Sequence, residues 1–416
     1  MYRNPTEIFE WTAEREKRLR EAVIDQNGPG TILHDFEALL DYIREQDIEL
    51  TASFQLPLRI LSEINARLVH PLKLGLKRPQ QKSFPPIHGL YLLVRASGIT
   101  RVEESGSKPR LIVDATVYQG WCALNPTEQY ATLLETWLLR GKPEIIGEWG
   151  GGLYAVENFR KWLGFASRVP KEGIQASQSQ DIDDKVRYGL GWYNLGLLYL
   201  FGLIEIQQGW RIESIQRTPF GDALLAVLHH KLHDVLEGIF ALEDDETFPP
   251  GILQPVLQPY FLHWQNNLSI PKWEFREGTY TFKVSLGRMW RRIAIQANEA
   301  LDALAAIILD AVGFDDDHLY RFSYQNLCGA MAHINHPYLE EGVRTDEVLV
   351  GDVPLRVGQS MIYFFDFGDN WEFIVTLEEV DPQKKVDKPF ILEGEGEAPE
   401  QYSFWDDDDD DDDEWE

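Results

Sequence analysis

The spacing of hydrophobic and polar positions predicts helices in the first half of the chain and strands near its end. In residues 1–80 the apolar positions of Asp35–Gln46 recur at helical spacing, and Pro57 can open a second helix that runs to His70. In residues 361–377, two runs of aromatic and β-branched residues flank a Gly/Asp/Asn centre, which is typical of a β-hairpin. The first half is therefore predicted to be mainly helical, and the last third to contain a sheet.

The clearest helix start lies in the first half, at Asn125. Asn125 is a good N-cap residue, Pro126 suits the first helical position, and Glu128 completes a capping box. The helix is predicted to run to Arg140, where glycine and proline follow. Before it, residues 110–118 are predicted to form a strand.

The region after this helix resembles a winged helix-turn-helix. Helices are predicted at residues 150–165 and 183–203, followed by two strands around a Gln-Gln-Gly turn. The segment that would read bases, Gly191–Phe201, contains no Arg or Lys, although base readout depends largely on Arg, Lys, Asn and Gln. A winged-helix-like portion that serves in packing or protein contacts is therefore an equal alternative to one that binds DNA.

The pattern from residue 279 onwards predicts an α+β domain. A strand pair, a helix ended by Gly313 and several further strands follow one another, which predicts a β-grasp-like sheet packed on one helix. The predicted elements are strands Tyr280–Leu286 and Trp290–Gln296, helix Glu299–Val312, capped by Asn298, strands His318–Tyr324 and Glu347–Val350, and the hairpin, which would close the sheet.

Composition shifts divide the chain into predicted domains. A chain of 416 residues is too long for one ordinary core, so several domains are expected. The predicted parts are a mostly helical domain at 1–145, a helical winged-helix-like domain at 146–242, a linker at 243–276, an α+β domain at 277–396, and a disordered acidic tail at 397–416.

Charge is distributed very unevenly between the two halves. The net charge is −29, yet residues 1–240 hold 27 Lys/Arg and 30 Asp/Glu, whereas residues 241–416 hold 12 and 38. Residues 406–416 alone carry ten acidic side chains. The acidic half should repel phosphate backbones, so any nucleic-acid contact is expected from the first half, with Lys73, Lys77, Arg78 and Lys82 as candidates.

Cysteine usage and hydropathy predict a cytoplasmic protein. The two cysteines, Cys122 and Cys328, are far apart and outside any CxxC spacing, so we expect reduced, buried thiols. The first residues contain no apolar signal segment, and the longest apolar run, Leu195–Ile204, is too short to span a bilayer. No membrane contact is expected.

Three stretches of the C-terminal region together resemble one known family. They are residues 280–293, Gly313–Phe322 and Phe365–Glu372, the last reading Phe-Asp-Phe-Gly-Asp-Asn-Trp-Glu. In combination they resemble the plasmid pRiA4b Orf-three-like family of bacterial plasmid- and transposon-associated genes, over about residues 277–396. The preceding region looks like the amino-terminal extension of longer members. The resemblance implies a fold and a mobile-element context, but no established activity.

The chain departs from this family at positions that matter for catalysis. Members commonly carry histidines where this chain has Tyr320 and Phe373, and the usual closing Pro-Glu-Asp-X-Gly-Gly run is replaced by the acidic tail. These losses weaken a catalytic interpretation of the neighbouring acidic residues.

The hairpin turn is the main candidate ligand site. Asp366 and Asp369 could converge with His318 on a metal or ligand, beside Trp371, but Asx side chains in turns more often bond their own backbone. A second candidate surface is Trp290 with Arg291 and Arg292, which could stack on or bind an anionic ligand, although in so acidic a domain arginines more often pair with neighbouring carboxylates. A zinc site at Cys328, His333 and His336 would lack a fourth ligand.

These observations favour a non-enzymatic binding or adaptor protein. The acidic C-terminal domain would bind a protein or a small ligand, and the N-terminal half could contact nucleic acid weakly. No nucleotide or dinucleotide fingerprint is present, so no cofactor is predicted. The alternatives are a metal-dependent hydrolase or nuclease at the Asp366–Asp369 turn, and an acidic mimic of nucleic acid that acts through the tail.

Overall fold

The computed structural model describes most of the chain and divides it into two compact units. The described residues are 9–103, 108–148, 156–176, 182–208, 212–240, 248–339 and 342–402, so the aspartate run of the predicted tail lies outside them. The first unit comprises Met1–Trp273 with Tyr324–His333, and the second comprises Glu274–Ser323 with Ile334–Glu416. The fold is mixed α+β, as predicted, with a helical N-terminal half and an antiparallel C-terminal sheet.

Most of the helices lie in the first unit. They are α1 Ala13–Arg20, α2 Ile32–Glu45, α3 Leu58–Arg67, α4 Pro85–Ala96, α5 Ala115–Cys122, α6 Pro126–Glu135 with a π-helical continuation to Arg140, α7 Glu157–Ala166, α8 Ile182–Lys185 with a π-helical continuation to Leu190, α9 Trp192–Leu200, α10 Pro219–Phe240, α11 Gln254–Leu257 and, in the second unit, α12 Leu301–Val312.

The strands within the described residues form three sheets. They are β1 Ile48–Glu49, β2 Thr100–Glu103, β3 Arg110–Val113, β4 Ile174–Gln175, β5 Ile204–Gln208, β6 Ile212–Arg217, β7 Thr279–Leu286, β8 Met289–Gln296, β9 Tyr320–Gln325, β10 Met331–Asn335, β11 Ser360–Phe365, β12 Trp371–Asp381 and β13 Phe390–Glu395. The sheet orders are β1-β3-β2, β4-β6-β5 and β10-β9-β11-β12-β7-β8-β13.

The predicted capping box at the start of α6 is confirmed. The Asn125 side chain accepts from the backbone N–H of Glu128 at 3.1 Å, and the Glu128 carboxylate accepts from the N–H of Asn125 at 2.9 Å. The same carboxylate also accepts from the backbone N–H groups of Gln265 at 3.1 Å and Asn266 at 2.7 Å. One buried side chain therefore starts a helix and fixes a segment far away in sequence.

A buried ion pair holds another part of the predicted linker. Glu135 and Arg140 are almost fully buried, with 3.3 Å between carboxylate and guanidinium. The Glu135 carboxylate also accepts from the N–H groups of Gly251 and Leu253, each at 2.8 Å. Together with buried Trp264, these bonds hold part of residues 248–273 against the rest of the first unit, and the segment is irregular apart from α11.

The region predicted to resemble a winged helix has the order α7, β4, α8, α9, β5, β6. Helix α9, the segment expected to read bases if the module bound DNA, is buried: Leu195, Leu197 and Leu198 have no exposed surface. It packs closely on α4, because a Cβ at Gly196 would lie only 2.0 Å from the carbonyl oxygen of Pro85. This helix therefore contributes to packing in the first unit.

The predicted hairpin, β11 and β12, is the centre of the C-terminal sheet. Its two strands pair from Ser360↔Thr376 to Phe365↔Trp371. The hairpin lies between β9 and β7 in the sheet order, so the prediction that it closes the sheet is wrong. The strand pairings at both of its edges bury Tyr363, Phe365 and Phe373 completely, which explains its aromatic composition.

Several predicted boundaries need correction. Residues 115–118, predicted as part of a strand, begin α5 because Asp114 caps a helix there. Helix α12 begins two residues after Glu299, and its N-cap residue is Ala300 rather than Asn298. The short strand predicted at Glu347–Val350 is replaced by a 3₁₀ turn, Val350–Asp352. Neither β10 nor β13 was predicted.

In the part of the chain that the structure describes, no helix is both long and apolar enough to cross a membrane.

Cys122 is exposed and Cys328 is half-buried, so the expectation of two buried thiols is wrong. Cys122 is the last residue of α5, where its side chain reaches solvent.

Candidate functional site

The turn between β11 and β12 is held by Asp366. Asp366 and Asn370 both have φ of 57°, in the left-handed region that Asx residues tolerate better than most. The Asp366 Oδ1 atom accepts from the N–H groups of Gly368 at 2.8 Å and Asp369 at 3.3 Å, and its carbonyl oxygen accepts from Asn370 at 2.7 Å. The carboxylate of Asp366 is therefore engaged by its own turn.

The loop before β9 meets this turn. The N–H of Asp366 donates to the carbonyl of Leu319 at 3.1 Å, and the His318 Nε2 atom lies 3.5 Å from Asp366 Oδ2 and 3.7 Å from Asp317 Oδ1. The structure thus brings together His318 and Asp366, as the sequence suggested. The side chain of Asp369, on the same turn, points into solvent.

Two residues that the sequence did not single out complete this region. Tyr402 donates a hydrogen bond to the Asp317 carboxylate. Gln401 donates to Asp317 Oδ1 at 3.1 Å and accepts from the N–H of Asp315 at 2.6 Å. These bonds fix the last described residues against the loop before β9, and nothing in their local sequence pattern would have predicted it.

Negative charge dominates this region, which we call the acidic end and define as Asp315, Asp316, Asp317, Asp366 and Asp369. The hydrogen bond from Tyr402, assisted by the charge of His318, lowers the pKa of Asp317. The bond to Asp317, then burial, then the charges of Asp317, Asp315 and Asp366 raise the pKa of Tyr402 to about 12. The carboxylates of Asp317, Asp315 and Asp366 therefore all oppose ionisation of the Tyr402 phenol.

Trp371 lies next to the acidic end but faces the core. Its ring meets Phe314 edge-on with 5.2 Å between centroids, and its buried indole Nε1–H has no hydrogen-bond partner among the described residues. Phe373, at a position where the resembling family commonly has histidine, is fully buried and packs on the same phenylalanine at 6.1 Å. At this position an imidazole would be enclosed in an aromatic core.

Trp290 and Arg291 do not join this cluster. They lie on β8, three strand spacings from β11, or roughly 14 Å across the sheet. The Arg291 guanidinium donates to the carbonyl oxygens of Ala311, Glu395 and Gly396, each at 3.1 Å. The Arg292 guanidinium lies over the Trp290 ring, 4.8 Å from the ring centroid. The predicted ligand-binding residues thus occupy two separate places.

The sequence offers two metal alternatives, at the Asp366–Asp369 turn and at Cys328, His333 and His336. In the described residues, no group of three or more His, Cys, Asp or Glu side chains is arranged to hold a metal ion. The Cys328, His333 and His336 alternative falls within these residues.

Basic groups of the first unit lie on two surfaces. Lys73, Lys77, Arg78 and Lys82 are all exposed on the segment before α4, and no hydrogen bond or ion pair of their side chains occurs within the described chain. Unforeseen from sequence, a cavity of about 360 Å³ has three cationic side chains and exposed Tyr188 in its lining. The cations are Arg160, Lys161 and Arg168.

These features define the second unit as an α+β sheet domain with an acidic end. Residues 279–402 match the family model described as plasmid pRiA4b ORF-3-like protein, which confirms the resemblance drawn from the motifs. An uncharacterized protein, y4hQ, from Sinorhizobium fredii is 26% identical over 110 residues, or 26% of this chain. The match covers 56% of that relative, so the chain spans about half of its length.

Solved structures that are similar to this chain include one of a protein from an archaeon. It is the crystal structure of a protein of unknown function, MM3350, from Methanosarcina mazei Go1, with 27% identity, a TM-score of 0.28, and coverage of 30% of this chain and 72% of the other.

Proposed function

We propose that the protein is a non-enzymatic binding protein of a mobile-element context in the cytoplasm, and that its acidic end binds a lysine- or arginine-rich segment of a partner protein. The observation that carries this proposal is the convergence of carboxylates from two loops. Asp315, Asp316 and Asp369 are exposed, and no ion pair engages them within the described residues. A concentration of one sign of charge attracts and orients an oppositely charged partner.

An apolar group next to these carboxylates adds a second kind of contact. Phe367, at the tip of the turn, is 42% exposed and stacks on Phe364 with 6.0 Å between ring centroids, and the Arg321 guanidinium of this chain lies 5.6 Å from its ring centroid. Lysine and arginine carry long apolar stems below their charges, and a ring beside carboxylates can contact both parts of such a side chain. This combination favours a basic peptide segment over a small inorganic cation.

The test is a binding titration of the full chain with a fluorescein-labelled lysine-rich peptide, followed by anisotropy at several salt concentrations. The variant Asp315→Asn/Asp316→Asn/Asp369→Asn should weaken binding by about tenfold or more. A matched control, Asp352→Asn/Glu379→Gln/Asp387→Asn, removes as many carboxylates elsewhere in the domain. Both variants keep residues 403–416. Equal losses of peptide affinity in the two variants would therefore show non-specific charge attraction and refute the proposal.

The contact between His318 and Asp366 favours a second candidate, a metal-dependent hydrolase or nuclease at the same turn. It predicts that the purified protein contains stoichiometric divalent metal, lost in Asp366→Asn and Asp369→Asn. Elemental analysis of the wild type and the two variants tests this prediction. Protein without metal, which also takes up none on addition, would exclude this candidate.

The exposed basic segment supports a further role for the N-terminal half, weak nucleic-acid contact. Residues 51–100 hold seven Lys/Arg and one acidic residue, and the buried helix α9 is not available to read bases if this portion is a winged helix. Contact would therefore be made with phosphates and without sequence preference. The cationic cavity beside Tyr188 belongs to the same unit.

A mobility-shift titration with unrelated duplexes tests this role. Substituting alanine at Lys73, Lys77, Arg78 and Lys82 together should weaken binding of every duplex and reduce the slope of log affinity against log salt by about 3.6. The control variant, Arg168→Ala, removes one cation from the cavity and so measures whether the cavity contributes to nucleic-acid binding. Absence of binding by the wild type at every salt concentration would rule the role out.

A further inference from the structure

Strand β13 is an edge strand with an unusual exposed apolar run. It is last in the order of the seven-stranded sheet, and within the described chain it pairs only with β8. Phe390, Ile391 and Leu392 are 41%, 39% and 41% exposed. An edge strand presents unpaired N–H and C=O groups, and large apolar residues on it make it a template for another strand.

The usual protection of such an edge is incomplete here. A bulge interrupts the pairing with β8 between Ile391 and Glu393, and two glutamates follow it. The Glu393 carboxylate is engaged by Arg292 of the neighbouring strand. The apolar residues all precede these charges, so this half of the strand is open to pairing.

The charges around β13 are arranged with opposite signs at its two ends. Lys384, Lys385 and Lys388 precede the strand, whereas Glu395 and Glu397 end and follow it. All five are exposed, and no ion pair within the described residues involves them. A strand with a basic start and an acidic end is complementary to a second copy of itself running antiparallel.

We propose that two copies of this chain pair through β13, antiparallel, about a two-fold axis between Ile391 and Leu392. In this register Ile391 faces Leu392 of the second copy, and Lys388 faces Glu395, each contact occurring twice. A parallel arrangement would instead place lysines against lysines. The pairing joins two seven-stranded sheets into one continuous sheet. The proposal does not depend on ligand binding at the acidic end.

Sedimentation velocity of the full chain over a range of concentrations measures this association. The wild type is expected to show a reversible monomer–dimer equilibrium. The variants Lys388→Glu and Glu395→Lys each place like charges opposite one another, so each alone should dimerise at least about tenfold more weakly. Ile391→Glu should have a similar effect through the centre of the pairing.

Mixing the two charge variants gives the decisive result. In a mixed pair the reversed Lys388 meets the reversed Glu395, and the unchanged Lys388 and Glu395 meet as in the wild type. Dimers should therefore reappear only in the mixture, which also shows that both variants are folded. A wild type that stays monomeric at all concentrations would overturn the proposal. It would also be overturned by a dimer that survives in all three variants, or by a mixture that remains monomeric.

Discussion

At the residue scale, Asp366 shows how one side chain can resemble a ligand site while it stabilises a turn. It has a left-handed backbone and accepts two N–H bonds through one carboxylate oxygen. Asparagine keeps both an acceptor and tolerance of this backbone, whereas alanine keeps neither. The two substitutions therefore separate a role in the turn from a role that needs negative charge.

We expect Asp366→Asn to change the free energy of unfolding by less than about 0.5 kcal/mol, and Asp366→Ala to lower it by about 2 kcal/mol. Urea unfolding near pH 8 measures both. Similar losses in the two variants would show that the charge itself stabilises the fold.

Glu128 is a second residue whose ionisation has consequences for the whole unit. Burial acts to raise the pKa of its carboxyl group, but hydrogen bonds from Asn125, Asn266 and Gln265 outweigh burial and lower the pKa below 4.5. Because the folded pKa is depressed, the stabilisation is present above about pH 4.5 and is lost as the pH falls through the folded pKa.

Glu128→Gln should therefore lower the free energy of unfolding by about 2 kcal/mol near neutral pH, and by progressively less at acidic pH. Unfolding midpoints across this range provide the measurement. The matched control is Glu14→Gln, an exposed carboxylate on α1, which should have an effect within about 0.5 kcal/mol. A difference between wild type and Glu128→Gln that is independent of pH would contradict the assignment.

At the element scale, the contact of α9 with α4 depends on glycine. The Cβ of an alanine at Gly196 would meet backbone atoms of Pro85, which cannot move aside as a flexible side chain can. In α7, by contrast, nothing lies within 4 Å of a Cβ at Gly164. The two glycines are thus a matched pair, one required by packing and one replaceable.

Gly196→Ala should destabilise the protein by about 3 kcal/mol or more, whereas Gly164→Ala should stabilise it by about 0.5–1 kcal/mol through its higher helix propensity. Thermal unfolding followed by circular dichroism compares them. If Gly196→Ala were neutral, α9 could not be packed as closely on α4 as described.

The elements predicted correctly are those with strong local signals. The capping box at Asn125 and the hairpin turn at Asp366 are each encoded within a few residues. Strand β13 was missed because its partner, β8, lies about a hundred residues earlier, so no local pattern reveals it. Helix α4 begins with two prolines and is buried on every side, so it lacks an amphipathic period.

Those residues of the candidate site that lie in one turn could be proposed from the sequence, because they too are close together along the chain. Asp366 and Asp369 share one turn, and His318 was linked to them only as a suggestion that the structure supports by distance. Gln401 and Tyr402 could not be foreseen, since a contact across more than eighty residues depends on the fold. Trp290 and Arg291 were chosen for their chemistry, and the strand order separates them from the turn.

At the scale of the whole molecule, the boundaries of the family match and of the compact units differ. The match covers residues 279–402, yet residues 324–333 within it belong to the first unit. There, Gln325 donates to the carbonyl of Arg95 at 2.8 Å and accepts from its guanidinium at 3.2 Å. A family boundary is therefore not a folding boundary in this chain.

We expect a fragment that begins at Glu274 to lose protection at residues 324–333 while β7 and β8 stay protected, because only the former lose hydrogen bonds, those between Gln325 and Arg95. Hydrogen–deuterium exchange of the fragment and the full chain measures this difference segment by segment. Equal protection of residues 324–333 in both would show that the second unit holds them unaided.

The bond from Tyr402 to Asp317 has a final consequence for the aspartate run that follows. From Tyr402 to Asp406 the chain has four residues to span, so the first aspartate is tethered within about 14 Å of an anchored point. A basic segment bound at the acidic end would therefore meet a second anionic group at a high effective concentration. Under the proposed function, replacing Tyr402 would therefore lower the avidity for a basic segment without removing any carboxylate.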